Sequence, residues 1–357
     1  MGDSWLVGRR IVTPGSCAPR ESVWYQHPMI IDIHAHCVPA EVVDLLHSEG
    51  ASMGIEVGHD GSVVVAGRPL PMPLRQSLVD RDARLAAMDR SGIDIQVLSP
   101  WIDLTAYRLD PEAGARWSRL LNVALAGEAA SHPDRFLALG TVPLQSPEAA
   151  VAELRFAVDE LGMVGVEIGT RVGDVDLVSA RLDPFWEEAA RLRCLLLLHP
   201  LDPLPGIDLG SHFLHNIVGR PAETTIAVAR LLLAGLFERH PHLEMCVVHG
   251  GGFLPYQIGR MHRAWVARPE IVASELRTPP RQALRQLSFD TVLHEPAAIR
   301  YLVDVVGADR VMLGSDYPFE MGDPDPVATI EAVPGLSTAD RTAILSGTAQ
   351  RLFAGIG

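Results

Sequence analysis

The sequence predicts an α/β protein, a single-domain (β/α)8 TIM barrel with long loops after its first and fifth strands. Three observations carry that expectation. Eight short β-branched or leucine-rich runs recur along the chain. Amphipathic segments separate them, the alternation of βα units around a parallel sheet. Ionisable residues close several of the runs, as they do where barrel strands open onto an active face.

The runs are 30–34 (IIDIH), 94–99 (DIQVLS), 136–142 (FLALGTV), 164–169 (VGVEIG), 195–199 (LLLLH), 244–249 (EMCVVH), 287–292 (LSFDTV) and 311–316 (VMLGSD). Helical patterns lie over 79–90, 111–131, 147–161, 183–192, 221–239, 295–306 and 338–352. The second of these is the best marked, with Asp110 placed to cap it and Pro111 to open it. Two connections, 37–78 and 200–220, are too long for plain turns, and long loops on the C-terminal side of barrel strands are where such enzymes build lids and substrate sites. Residues 1–28 carry Pro, Gly, Ser and a Val-Trp-Tyr cluster without a clear period. They read as an extension of unknown role ahead of one domain at 29–357.

Composition narrows the function. A chain of 357 residues with 48% hydrophobic content can bury one large core without a second domain. Acidic residues outnumber basic ones 44 to 30, and the formal charge of -14 argues against nucleic acid or an anionic membrane surface as a partner. All 30 basic residues are Arg. Without a lysine there is neither a Schiff-base nucleophile nor a carbamylated lysine to bridge two metals. Cys17, Cys37, Cys194 and Cys246 form no CxxC pair, which fits a reduced cytosol, and no apolar stretch reaches membrane-spanning length. A cytoplasmic protein is expected.

His34, His199, His249 and Asp316 each end an apolar run, and Asp290 lies near the end of another. A buried strand that stops on an ionisable residue must satisfy that residue or use it. His34 and His36 are two apart, so on a continuing strand both leave on one side and converge on one ion. The pair alone is weak: 14 histidines in this length give about 0.5 such pairs by chance, and His240-Pro241-His242, in a polar turn, is a second. Placement on the first, fifth and eighth strands singles out His34, His36, His199 and Asp316. Three imidazoles and a carboxylate suit one divalent ion, Zn2+ with Mn2+ as the alternative, and leave room for an activated water. His249, opening HGGGFLPY, reads as an acid or base beside the ion, and Asp316 as both ligand and proton acceptor. Arg260, Arg68 and Arg75 are candidate clamps for a substrate carboxylate. Glu167 is a polar group of the barrel mouth or a bonded core residue.

These residues and the segments IDIHAHCVP, GVEIGT, LLHP, PAETT, GLFERHPHLEMCVVHGGG, GRMHRAW and DRVMLGSDYPF resemble the amidohydrolase-2 family, in particular its aminocarboxymuconate-semialdehyde-decarboxylase-like group. The resemblance implies a TIM barrel, zinc on His34, His36, His199 and Asp316, and proton exchange through His249. It also implies a homodimer in which an arginine matching Arg260 reaches the substrate carboxylate across the interface, while a loop arginine, Arg68 or Arg75, supplies the second contact. Three positions depart from the pattern: Leu201 and Asn216 stand where tryptophans are expected, and Glu167 replaces a glutamine. The expected activity is non-oxidative decarboxylation of a small unsaturated or aromatic acid. Metal-dependent hydrolysis of an amide, lactone or C–C bond is the second reading, and a metal-binding scaffold without turnover the third.

Overall fold

The computed structural model describes residues 29–356 except 174, 175, 202, 203 and 205, so the extension at 1–28 and Cys17 lie outside the described residues. All eight expected runs form strands. Numbered with three further strands in chain order, they are β1 (Ile31–Cys37), β5 (Ile95–Pro100), β6 (Phe136–Gly140), β7 (Gly165–Gly169), β8 (Leu195–His199), β9 (Glu244–Val247), β10 (Ser288–Asp290) and β11 (Val311–Met312). They pair in parallel in sequence order. The sheet closes where Ile33 N donates to Leu313 O at 2.9 Å, Asp316 N to His34 O at 2.8 Å and His36 N to Tyr317 O at 2.7 Å.

Closure explains the apolar runs. Each barrel strand is covered on both faces, so its residues are buried almost without alternation. One core cluster gathers Ile33, Val97, Leu139, Leu197, Cys246 and Met312 from six of the eight barrel strands, with Ala349 and Leu352 of the last helix. A larger cluster joins Leu98, Ile168, Leu196 and Val247 to Trp117, Trp186 and Leu231 of the surrounding helices. Cys194 and Cys246 are buried free thiols, as the sequence suggested.

The helices at Pro111–Ser131 and Asp183–Leu192 match their expected limits. Asp110 caps the first by accepting from the N–H groups of Glu112 and Ala113. The pattern over 221–239 is two helices, Arg220–Leu233 and Leu236–Arg239, because Gly235 takes φ 65° between them and a right-handed helix cannot pass through that conformation.

The first long connection is more than a loop. It contains the helix Ala40–Ser48 and an antiparallel sheet of β2 (Ile55–Val57), β3 (Val63–Val65) and β4 (Arg68–Pro69). Ala66 and Gly67, both at positive φ, make the two-residue turn that joins β3 to β4. Ile55, Val63 and Val65 bury one face of this sheet against the barrel core. Three strands of two or three residues fall below the length at which a period can be read.

Candidate active site

His34 and His36 leave β1 on one side, their Nε2 atoms 3.2 Å apart. His199, the last residue of β8, completes a triangle of rings with centroids 5.0 to 5.4 Å apart. Asp316 follows β11 by four residues, in a turn at φ 57° that aims its Oδ1 at His36 Nε2, 3.2 Å away, and His34 Nε2, 3.4 Å away. One ligand atom from each of the four residues falls within 4.8 Å of the others, and all four residues are buried.

This geometry fits a metal ion. His36 Nδ1 lies 2.9 Å from Pro100 O and His199 Nδ1 2.8 Å from Pro200 O. A carbonyl only accepts, so Nδ1 carries the proton in both rings and each Nε2 presents a bare lone pair to the centre. Asp316 Oδ1, buried and without a hydrogen-bond donor, faces them. Lone pairs turned toward a carboxylate oxygen in a dry site repel one another unless a cation lies between them. Ligands about 2.0–2.1 Å from a tetrahedral ion stand about 3.3 Å apart, close to the 3.2 to 3.4 Å separations among His34, His36 and Asp316. Burial and the neighbouring imidazoles of His36, His249 and His34 hold His199 well below the usual histidine range, ready as a neutral ligand. Burial works to raise Asp316, but His34 and His249 keep it well below the usual carboxylate range.

A second layer orients the ligands. His34 Nδ1 donates to Asp290 Oδ2 at 2.6 Å, and Asp290 Oδ1 accepts from the N–H groups of Gly250 at 2.8 Å and Val292 at 3.2 Å. Below β1, buried Asp32 accepts from Ser315 Oγ at 2.6 Å and Gln96 Nε2 at 2.8 Å. Arg84 donates to Gln96 Oε1 at 2.7 Å and to the His36 carbonyl at 2.6 Å. No sequence signal marked Asp32, Gln96 or Arg84, because a network of this kind exists only once distant strands adjoin. Glu167 is fully buried 3.7 Å from His36 Nδ1, neither oxygen has a hydrogen-bond partner among the described residues, and burial pushes its carboxyl up to about 8. It is therefore not the bonded core residue that one reading anticipated.

His249 lies just beyond β9 in a turn of its own at φ 54°, not on the strand. Its Nε2 is 3.6 Å from Asp316 Oδ2, its Nδ1 has no hydrogen-bond partner among the described residues, and its ring stands 5.3 Å from that of His199. The glycines that follow permit this: a Cβ at Gly252 would meet Pro221 O at 2.2 Å, and one at Gly251 the Phe289 ring at 2.7 Å. His240 and His242 sit in the turn before β9, outside the cluster.

A cavity of about 540 Å³ opens over the cluster, walled by Trp101, Phe213 and Phe319 and floored by His199, His249 and Asp316. Arg75 lines it, with Nη1 3.0 Å from the exposed Glu320 carboxylate. Arg68 does not; it lines an adjacent chamber of about 400 Å³ together with Leu201, Tyr107 and Arg108. Pro71, Asp103, His215 and Arg220 border both spaces. Arg260 is exposed on the helix Leu254–Ala267 and lines neither. Asn216 faces the main cavity. Arg220 escaped the sequence reading, although it opens the PAETT segment, because nothing local distinguishes it from other helix-terminal arginines.

The family profile described as amidohydrolase matches residues 31–355. The chain is 31% identical over 323 residues to 2-amino-3-carboxymuconate-6-semialdehyde decarboxylase of Dictyostelium discoideum, covering 89% of this chain and 90% of that one. It is 34% identical over 303 residues to gamma-resorcylate decarboxylase of Rhizobium sp. (strain MTP-10005), covering 78% and 89%. A crystal structure of dihydroxybenzoic acid decarboxylase from Polaromonas sp. JS666, with bound manganese and an inhibitor, superposes with a TM-score of 0.74 at 26% identity over 91% of this chain and 97% of that one. With a buried three-histidine, one-aspartate cluster at the mouth of a closed barrel and a family match over nearly its whole length, the chain belongs to the amidohydrolase family.

Proposed function

We propose that this chain is a metal-dependent, non-oxidative decarboxylase of a small aromatic or unsaturated carboxylic acid. The observation that carries the reading is the convergence of His34, His36, His199 and Asp316 on one point, with His249 beside them, beneath an aromatic-walled cavity. Relatives named for loss of CO2 support it.

The Nε2 atoms of the three histidines and Asp316 Oδ1 would hold one divalent ion, Zn2+ by the donor set, with Mn2+ the alternative that the manganese-bound Polaromonas structure supports. When bound, the ion supplies a Lewis acid that draws in and polarises substrate oxygen. Trp101, Phe213 and Phe319 offer apolar walls against which a flat acid packs. The Asp316–His249 pair delivers a proton to the carbon that bears the carboxylate. A C–H bond forms there, the C–C bond to the carboxylate breaks, and its electron pair returns to the ring or diene; each turnover consumes one proton and releases one CO2. His249, partly exposed, takes the next proton from solvent.

Arg75 is the loop arginine of this reading, since it lines the cavity and its Glu320 partner is mostly exposed and cheaply exchanged. Arg260 belongs to a homodimer in the same reading. Its helix also exposes Tyr256 and Val266, and Phe253 just before it is exposed, an apolar face suited to a second copy. No helix among the described residues is long and apolar enough to cross a membrane. With the -14 charge and the buried free thiols Cys37, Cys194 and Cys246, this favours a cytoplasmic enzyme with small-molecule carboxylate substrates and neither nucleic acid nor membrane as partner.

The test is CO2 release by protein reconstituted with Zn2+ or Mn2+, over a panel of hydroxybenzoic and dienoic acids, run in D2O. One deuterium is expected at the carbon that lost CO2. Fully metallated protein that releases CO2 from no member of the panel would remove the decarboxylase reading.

A further inference from the structure

The main cavity, at about 540 Å³, already accommodates a one-ring acid, since pockets of about 300–1,000 Å³ hold whole drug-sized ligands. The adjoining chamber of about 400 Å³ is surplus to that need, yet it is not a closed void of the core: it shares four wall residues with the main cavity. Its polar lining is biased. Asp103, Glu223 and Arg108 all have partners; Glu223 Oε1, for one, accepts from Thr170 Oγ1 at 2.5 Å. Arg68 and Arg220 have no ion-pair partner among the described residues, and they approach the chamber from different elements.

Arg220 is the better placed of the two. Its Nη1 donates to Pro200 O at 2.7 Å, the same carbonyl that takes the Nδ1 proton of His199 at 2.8 Å. One edge of the guanidinium is thus anchored next to a metal ligand, at the border of the two spaces, while the rest of the fork has no carboxylate partner among the described residues. A guanidinium held by one edge with its others unpaired is a preformed carboxylate site. Leu201, one of the positions that departs from the resembling family, lines this chamber, where a tryptophan would take up more of the space.

We propose that the side chamber is a subsite for a remote carboxylate: the substrate is an acid whose ring or diene carries an arm ending in a second anionic group, and Arg220, with Arg68 in the lining of the same chamber, determines that specificity. The proposal rests on the decarboxylase reading for the chemistry at the metal and adds the class of molecule that reaches it.

The test uses Mn2+-loaded protein and two probes alike in shape, 3-(2-carboxyethyl)benzoate and 3-propylbenzoate, titrated by calorimetry. The wild type should bind the diacid at least about tenfold more tightly, and Arg220→Gln and Arg68→Gln should each bring the ratio below about threefold, with Arg220→Lys recovering part of it. Metal content of each variant is measured alongside, because Arg220 shares a carbonyl with His199; Arg68, on the small sheet, has no such link. A wild-type ratio near one, or a ratio that survives both Gln substitutions, would overturn the subsite. Selective binding of the diacid by a protein that releases no CO2 from any acid would instead leave the subsite standing and remove the decarboxylase reading.

Discussion

The two halves of the barrel mouth are built differently. On the metal side the three histidine ligands come from barrel strands, are buried, and are held from behind: His34 by Asp290, His36 by Pro100 O, His199 by Pro200 O. On the substrate side the polar groups ride on connections. Arg68 sits on a two-residue strand, Arg75 ahead of a short helix, and Arg220 at the exit of the loop after β8. Arg75 is matched only by an exposed glutamate. A strand end surrounded by hydrogen-bonded neighbours can adopt few positions, whereas a loop can alter without unsettling the core. In the proposed reading, the difference separates chemistry, carried by the strand-end half, from choice of substrate, carried by the loop-borne half.

Substitutions on the two sides should therefore fail in different ways. The largest effect is expected from Asp316→Asn, which removes a metal ligand and half of the proton-transfer pair together: metal stoichiometry should collapse and kcat fall by roughly 10⁴-fold or more. A variant that keeps both its metal and its rate would break the assignment of Asp316 to the strand-end half. His249→Ala should keep the metal and lose about 10²- to 10⁴-fold in kcat, and solvent-deuterium incorporation at the product carbon should slow in step. Asp290→Asn touches neither substrate nor ion but loosens His34, so metal affinity measured by competition with a chelator should fall about 10- to 100-fold. Across the mouth, Arg75→Gln should raise KM about tenfold with kcat and metal content little changed, the signature of lost binding without lost chemistry. If it lowers kcat instead, the division between the halves is too sharp.

The smallest effect should come from outside both halves. Glu188 on the outer helix ring is bonded by Arg155 and Arg191, and those bonds bring its carboxyl down to about 2 from an ordinary 4.5. Because the folded value is depressed, the associated stability is fully present above about pH 4.5 and is lost as pH falls toward 2. Glu188→Gln should cost about 1 kcal/mol near neutrality, with the gap from wild type closing in acid and metal binding unchanged. Urea unfolding at several pH values reads the effect.

The same division governs what could be read before folding. The sequence by itself determined the barrel, because strands buried on both faces leave continuous apolar runs that any register preserves, and it determined the metal cluster, because strand ends of one barrel share one face. His249 and Asp316 were legible as ionisable residues closing apolar runs, but not as residues of strained turns beyond their strands. The small sheet β2–β4 was invisible, its strands being too short to show a period. Only tertiary structure decided which arginines meet the cavity: it placed Arg75 in its wall, Arg68 in the neighbouring chamber, Arg260 on an outer face and Arg220, unmarked in the sequence, between the two spaces. It also left Glu167 buried without a hydrogen bond beside His36. The physical reason is one of range. Burial patterns are local along the chain, whereas the partner of an arginine or a buried carboxylate is fixed by residues hundreds of positions away, through contacts that exist only after the barrel has closed.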